Sequence, residues 1–245
     1  MSVSVTRFGL IGLLLCASAW ARWDKGDTAE VRIKDLRFTQ FVVGEKEVEF
    51  RVETIEEEEQ AGTLDDYLWE RRGEAVIGPG QTLFLIDGHH LLRALRESGR
   101  KWFWVDVVKN YEDLSWKAFW AKMKGGARGK KPMVYLRDGK NRPKSVSKLP
   151  RDILDLEDDP YRSLAWMVRK SGGYDDIDEP FQEFQWARFF RRHIRFDPDD
   201  SEGWARALRQ AMRMAASRKT EDLHGWHGER GDCSAMLEWL GEHEE

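Results

Sequence analysis

The chain has 245 residues, of which 41% are hydrophobic and 12% aromatic, a composition typical of one large globular domain or two small ones. Lysine and arginine contribute 40 charges and aspartate and glutamate 44, which gives a net charge of -4. This balance excludes a general attraction to nucleic acid or to an anionic membrane, so any anion-binding site must be local.

Residues 1–21 are predicted to be a signal peptide rather than part of the fold. An apolar run over 8–17 precedes Ala19-Trp20-Ala21, which has the small-x-small pattern of a cleavage site. The run is too short for an ordinary spanning helix, and no later segment is apolar enough to span. We therefore expect export to the periplasm or the cell exterior, with no stable membrane insertion after cleavage. An uncleaved anchor is the alternative, and a lipoprotein at Cys16 is disfavoured by the bulky Leu15.

Periodicity and turn residues predict a small mixed α/β domain in residues 22–130. The predicted strands lie at 31–33, 75–77, 82–86 and 102–108. The predicted helices lie at 45–59, 65–72, 89–98 and 115–123. Thr39 and Ser115 are expected to cap helices, and Gly99 is expected to end one.

Residues 131–245 are predicted to be mainly helical and packed on the first part, after a glycine-rich basic loop at 125–131. Asp159-Pro160 is a cap followed by the first turn of a helix, and Gly172-Gly173 ends that helix. Apolar spacing predicts three more helices, over 181–190, over 201–215 with Ser201 as the cap, and at 235–240. The predicted fold class is therefore α+β, with a mainly helical second half.

The turn at Asp87 and Gly88 is the most informative stretch, because a buried strand ends there and a helix begins at once. Gly88 permits close backbone approach, and a helix start offers free N–H groups and a positive dipole end, which suit phosphate. His89 and His90 lie in the first turn, where either can act as general acid or base near neutral pH, and Arg93 lies one turn on. Two alternatives stay open. Asp87 with a histidine binds a metal ion, or Asp87 caps the helix and one histidine bonds within the core.

This turn resembles the phosphate-binding motif of the ParB/sulfiredoxin superfamily. ParB proteins carry Gly-Glu-Arg-Arg-x-Arg-Ala there, of which this chain keeps Gly88 and Arg93-Ala94. Free-serine kinases of the superfamily carry Asp-Gly-His-His-Arg, which matches 87–90 and differs at Leu91. Sulfiredoxin has Gly-Cys-His-Arg, and His89 replaces its catalytic cysteine, which argues against sulfiredoxin chemistry.

The wider sequence is similar to the group called ParB-like nucleases. Four blocks carry this similarity, at 36–48, 86–94, 158–174 and 181–190, although the proline usual in the first block is Phe38 here. The resemblance implies a ParB/sulfiredoxin-like domain and, by the family label, hydrolysis of a phosphoester in a nucleotide or nucleic acid. It implies catalytic roles for His89, His90 and Asp87. Gly88 and Arg93 would bind the phosphate.

Glu45, Arg162 and Ser163 are candidate accessory residues of the same site. Glu45 begins a segment with Lys46 and Glu47 that packs near the nucleotide site in related folds, so a catalytic carboxylate can come from here. The alternative is an exposed helix start. Arg162 and Ser163 lie in the first turn of a capped helix, where they either complete the pocket or serve the cap alone.

Two further patterns carry less information. The basic residues of the 125–131 loop either follow a nucleic-acid backbone or form a surface linker. His224, His227 and Cys233 are too few for a metal site, so no dedicated set of metal ligands is predicted.

Three functions follow from these residues. The first is a phosphoester hydrolase, by the family label a nuclease. The second is a nucleotide-dependent kinase or switch, which export disfavours because ATP and CTP are scarce outside the cytoplasm. The third is a non-catalytic binding protein that keeps the anion pocket. The cofactor stays open between a divalent metal ion and a nucleotide, and the sequence identifies no protein partner.

Overall fold

The computed structural model describes residues 22–125 and 131–242, so the predicted signal peptide and positions 126–130 of the basic loop lie outside it. The strands are β1 Thr28–Arg32, β2 Arg37–Phe38, β3 Val42–Val43, β4 Gly73–Gly78, β5 Thr82–Asp87, β6 Trp102–Asn110 and β7 Glu157–Asp158. The α-helices are α1 Glu45–Ala61, α2 Leu64–Glu70, α3 His89–Glu97, α4 Trp116–Met123, α5 Pro160–Lys170, α6 Gln182–His193, α7 Ser201–Ala215 and α8 Ser234–Glu242. The α+β fold class is confirmed.

Five strands form one mixed sheet in the order β1-β6-β4-β5-β2. The β1–β6 and β4–β5 pairs are antiparallel, whereas β4–β6 and β2–β5 are parallel. Because side chains alternate along a strand, Phe103, Val105 and Val107 of β6 all point to one buried face. Ile55 of α1 and Leu92 of α3 belong to the same core, so these two helices cover that face.

The opposite face of the sheet is covered by α4. Val76 of β4 and Phe84 of β5 pack with Phe119 and Met123 of this helix. The Ser115 hydroxyl accepts a hydrogen bond from the Ala118 N–H, so the predicted cap of α4 is confirmed. The sheet is thus covered on both faces.

The last four helices form a second core. Trp186, Trp204 and Leu208 are buried within it, on apolar faces that the helical spacing predicts. Phe50 of α1 packs on this core, with its ring centroid 5.3 Å from that of Trp166. One side of α1 therefore packs against the sheet and the other packs against the helical half.

A short parallel pair, β3 and β7, joins the two halves of the chain. Val42 lies opposite Glu157 and Val43 opposite Asp158, directly before α1 and α5 begin. The two helix starts touch at Gly44, where an added Cβ would lie 2.7 Å from the backbone nitrogen of Ser163. A side chain at this position would push the helices apart, which explains the glycine.

Two predicted caps are wrong. Thr39 lies between β2 and β3, and its hydroxyl donates to the Leu85 carbonyl at 2.7 Å, while Gly44 occupies the cap position of α1. Ser201 is already helical, and Asp200 precedes it as the N-cap residue of α7. Within 22–125 and 131–242, no helix has the length and apolarity needed to cross a membrane.

Candidate functional site

The turn between β5 and α3 has the geometry that the sequence predicts. Gly88 adopts φ 93°, in the left-handed region, and an added Cβ would lie 3.1 Å from the Gly73 Cα. The Gly88 N–H donates to the Asp87 carboxylate at 2.7 Å. The first N–H groups of α3 have no partners within the helix, as at any helix start, and this turn lines a cleft.

The cleft has a volume of about 900 Å³ and lies between the sheet domain and the helical half. One side is formed by 87–91, and its floor contains Glu47, Arg51 and Arg162. The opposite wall is formed by 131–133 and 176–184, which come from the second half of the chain. The cleft is therefore built from both halves.

Both histidines of the turn are buried and neutral. His89 is 3% exposed and His90 is 8% exposed. The Thr39 N–H donates to His89 Nε2 at 3.4 Å, and the Gly44 N–H donates to His90 Nε2 at 3.0 Å. Each Nε2 is therefore unprotonated, which places the ring proton on Nδ1. Burial lowers the pKa of His89 to about 3 and holds the pKa of His90 well below its ordinary value. The pair anchors the 39–44 segment to α3.

Glu47 forms the centre of a buried charge network on the cleft floor. Its side chain is 2% exposed, and its carboxylate lies 2.9 Å from Arg162 Nη1, 2.7 Å from Arg51 Nη2 and 3.6 Å from His90 Nε2. Burial raises the pKa of Glu47, but the guanidinium groups of Arg162 and Arg51 outweigh burial and hold the pKa below its usual range. Glu47 is thus an ionised carboxylate at neutral pH.

Arg162 extends this network into the helical half. It is 5% exposed, and its Nη2 lies 3.7 Å from the Glu183 carboxylate, which also lies 3.0 Å from Arg169 Nε. Arg162 Nε has no hydrogen-bond partner among the described residues. The predicted accessory residue Arg162 therefore lies in the cleft, with one buried donor unused.

Asp87 is an exposed carboxylate of the cleft, which exposed Glu74, Asp176 and Asp178 also line. Desolvation by the surrounding walls raises its pKa, the Gly88 N–H opposes this, and the nearby Glu183 raises it further. Asp87 therefore takes up a proton closer to neutral pH than an ordinary aspartate does. In the described part of the chain, no group of three or more histidine, cysteine, aspartate or glutamate residues is arranged to hold a metal ion.

Three of the residues predicted for the site lie elsewhere. Arg93 Nη1 donates to the Ile153 and Leu154 carbonyls at 3.1 Å, and its Nη2 lies 3.6 Å from Glu45. These contacts hold the 153–156 turn, and neither Arg93 nor Glu45 lines the cleft. The Ser163 hydroxyl accepts a hydrogen bond from the Lys46 N–H at 3.1 Å, which gives this donor in the first turn of α1 a partner. All three residues join elements next to the cleft.

The comparisons agree with the resemblance read from the sequence. A family model described as "Putative ParB-like nuclease" matches residues 29–192. The chain belongs to this ParB-like family. A search of curated proteins finds no match. Among solved structures, protein Atu1540 from Agrobacterium tumefaciens is similar, with 34% sequence identity and a TM-score of 0.69 over 83% of this chain and 99% of that one.

The match to the ParB-like family covers both sides of the cleft. It includes the Asp87 turn and reaches through α5 to residue 192 in α6. Sequence reasoning missed Arg51 and the 176–184 wall, and it left Glu47 open between a carboxylate of the site and part of an exposed helix start. One signal was available, because Glu47, Arg51 and Ile55 share one face of α1 at four-residue spacing, and Ile55 is buried.

Proposed function

We propose that this ParB-like protein binds a phosphoester in the cleft and hydrolyses it. The observation that carries the proposal is the meeting of the open first turn of α3 with Arg51 and Arg162 across one cleft. Peptide N–H groups at a helix start and guanidinium donors are both suited to phosphate oxygens. Arg51 uses its Nε and Nη2 on Glu47, which leaves its Nη1 to face a ligand.

Asp87 is the acid–base group of the proposed reaction. A water molecule attacks phosphorus, Asp87 accepts its proton, and the bond from phosphorus to the leaving oxygen breaks as that oxygen is protonated from solvent. Asp87 suits this task because it is exposed to the cleft and has a raised pKa. His89 and His90 have a structural role in the site, because their Nε2 atoms accept backbone N–H groups and so fix the segment that leads into α1. The proposed activity decreases as the pH falls through the pKa of Asp87, because a protonated carboxyl cannot accept the proton.

The test compares Asp87→Asn with wild type. An asparagine oxygen can still accept from the Gly88 N–H, so stabilisation by inorganic phosphate in a thermal-shift assay should persist. Hydrolysis of bis(4-nitrophenyl) phosphate should fall by about a hundredfold or more. Asp66→Asn, an exposed site on α2 outside the cleft, is the matched control and should keep full turnover.

Unchanged turnover in Asp87→Asn would remove Asp87 from the mechanism. Phosphate stabilisation without turnover in wild type would favour a non-catalytic binding protein.

Export is part of the same proposal and rests on residues 1–21. Expression of the full chain with a bacterial secretion system should give a periplasmic product whose intact mass corresponds to residues 22–245. A product of full mass in the membrane fraction would instead indicate the uncleaved anchor.

A further inference from the structure

A basic surface lies beside the part of the cleft that Phe181 and Phe184 line. We define it by six residues, Arg137, Lys140, Arg142, Arg188, Arg192 and Arg195. Three of them belong to the tight turn at 137–143, in which the Asn141 N–H donates to the Asp138 carbonyl at 2.7 Å. The other three belong to α6 and its end, where 186–196 contains four arginines and no acidic residue.

Tyr135 joins the turn to the helix. Its ring stacks on Phe184 of α6, with centroids 3.8 Å apart and planes 18° apart. Arg137 follows Tyr135 by two positions, and Arg188 follows Phe184 by one turn of α6, so this stacking holds the two groups of arginines side by side. Burial raises the pKa of Tyr135 to about 12, Asp159 raises it further, and the charges of Arg188, Arg137 and Arg191 oppose this.

The carboxylates near this surface offset only part of its charge. Asp138 is 1% exposed and binds Arg142, and Asp159 is 2% exposed and binds Arg191, so both lie beneath the surface. Glu157 accepts from the Gly139 N–H at the edge of the turn. In the described part of the chain, Arg137, Lys140, Arg188, Arg192 and Arg195 have no carboxylate within 4.0 Å. Arg137 and Arg195 each use Nη1 on backbone carbonyls, of Asn141 and of Arg191 and Ile194 respectively. Among the described residues, the side-chain donors of Lys140, Arg188 and Arg192 have no such partner and can bind an external anion.

The basic surface is continuous with the cleft. Phe184 and Phe181 line the cleft, and both rings contact Tyr135, which lies two positions before Arg137 of the basic surface. A ligand with one phosphate at the first turn of α3 therefore meets a second set of cations when it extends past this aromatic group. A mononucleotide in the cleft has no phosphate to place there.

We propose that the basic surface binds the backbone of a single-stranded nucleic acid, so that the substrate of the cleft is a polynucleotide rather than a mononucleotide. The inference rests on the proposed function of the cleft. Arginine dominates the surface, and its planar fork matches phosphate oxygens better than lysine does. In a chain with net charge -4, such a concentration of cations makes a local field that attracts polyanions.

The test measures binding of a fluorescein-labelled single strand of about 12 nucleotides by anisotropy, over a range of salt concentrations. All proteins carry Asp87→Asn, so that cleavage does not interfere. The triple variant Lys140→Gln/Arg188→Gln/Arg192→Gln should weaken binding at least tenfold, and the slope of log affinity against log salt should fall by about 2. The matched control is Arg206→Gln/Arg209→Gln/Arg213→Gln, which removes three exposed charges from α7 and should bind as the parent does.

Four outcomes separate this inference from the function proposed for the cleft. Loss of oligonucleotide binding with intact phosphate stabilisation in the first triple variant supports the basic surface. Phosphate stabilisation in wild type without oligonucleotide binding overturns the inference and leaves the cleft proposal standing. Oligonucleotide binding without any phosphate stabilisation supports the surface while the cleft proposal fails. An equal loss of oligonucleotide binding in both triple variants would show general charge attraction and overturn the inference. Displacement of the oligonucleotide by an equal concentration of poly-glutamate would do the same.

Discussion

The two histidines show how burial decides the chemistry of a residue type. An imidazole near its ordinary pKa exchanges protons at neutral pH, but His89 and His90 are buried and each accepts a backbone N–H through Nε2. Protonation of either Nε2 would break that bond and place a charge in the core. The acidic group that stays accessible in the same turn is Asp87, two positions before the first residue of α3. The side chains that first suggest catalysis therefore have positioning roles in the proposed site.

We predict that His90→Ala lowers the free energy of unfolding by about 2 to 4 kcal/mol, because the Gly44 N–H loses its acceptor and a cavity opens beside Glu47. His90→Gln should recover part of the loss, since its side-chain oxygen can accept the same N–H. Urea unfolding followed by circular dichroism measures both. His193→Ala, at the exposed end of α6, is the control and should change stability by less than about 0.5 kcal/mol. A small effect for His90→Ala would mean that the bond to Gly44 contributes little.

At the scale of elements, the sequence predicts what local periodicity determines. The four helices of the second half and the β5–α3 turn follow from apolar spacing, glycine and capping residues that act within a few positions. Thr39 was misread because its hydroxyl serves a strand 46 positions away, which no local pattern reveals. The cleft was only half predicted for the same reason, since its second wall at 176–184 approaches α3 through tertiary packing alone. The sequence left the burial of Glu47 undecided because the helix around it is strongly charged, so a buried carboxylate looks like its exposed neighbours.

The junction of β7 with α1 contains a carboxyl group that should make stability depend on pH. Asp158 accepts from the Glu45 N–H at 2.8 Å. Desolvation raises the pKa of Asp158 to about 6, and the carboxylates of Glu45, Asp159 and Glu49 raise it while the Glu45 N–H opposes them. An aspartate in the unfolded chain has a pKa of about 3.9, so the folded state binds the proton of the Asp158 carboxyl more tightly than the unfolded state does. The stability from Asp158 is thus fully present below pH 4 and is lost as the pH rises through 6.

We therefore predict that Asp158→Asn raises the melting temperature at pH 7.5, because asparagine keeps the hydrogen bond without the charge. The rise should be on the order of 2 °C, since the side chain is exposed and solvent screens its neighbours. The difference from wild type should vanish near pH 4. Asp155→Asn, on the adjacent exposed turn, is the control. A difference that is constant between pH 4 and 7.5 would contradict the assignment of this titration to Asp158.

At the scale of the whole molecule, two hydrophobic cores are joined by a buried ion pair. Glu47 belongs to the helix that covers the sheet, and Arg162 belongs to the helical half. Removing one member of such a pair leaves a charge buried without its partner, which costs more than removing both. The pair therefore couples the stabilities of the two cores.

We predict that Arg162→Met lowers the free energy of unfolding by about 3 to 5 kcal/mol, and that Glu47→Gln/Arg162→Met loses less than the sum of the two single variants. Urea unfolding followed by tryptophan fluorescence measures the cycle. Arg206→Met, which removes an exposed arginine paired with Asp200, should cost less than about 1 kcal/mol. Additive losses in the double variant would show that the two side chains act independently.

Glu47 and Arg162 are 115 positions apart, and this separation has a consequence for the order in which the molecule is completed. During synthesis α1 leaves the ribosome well before α5. Until α5 follows, the Glu47 carboxylate is better solvated than buried, so the floor of the cleft stays open to water. Contacts between distant parts of a chain also form slowly. The sheet can assemble early, whereas the cleft is finished last, and a nascent chain acquires the proposed phosphate site only when α5 and α6 have docked.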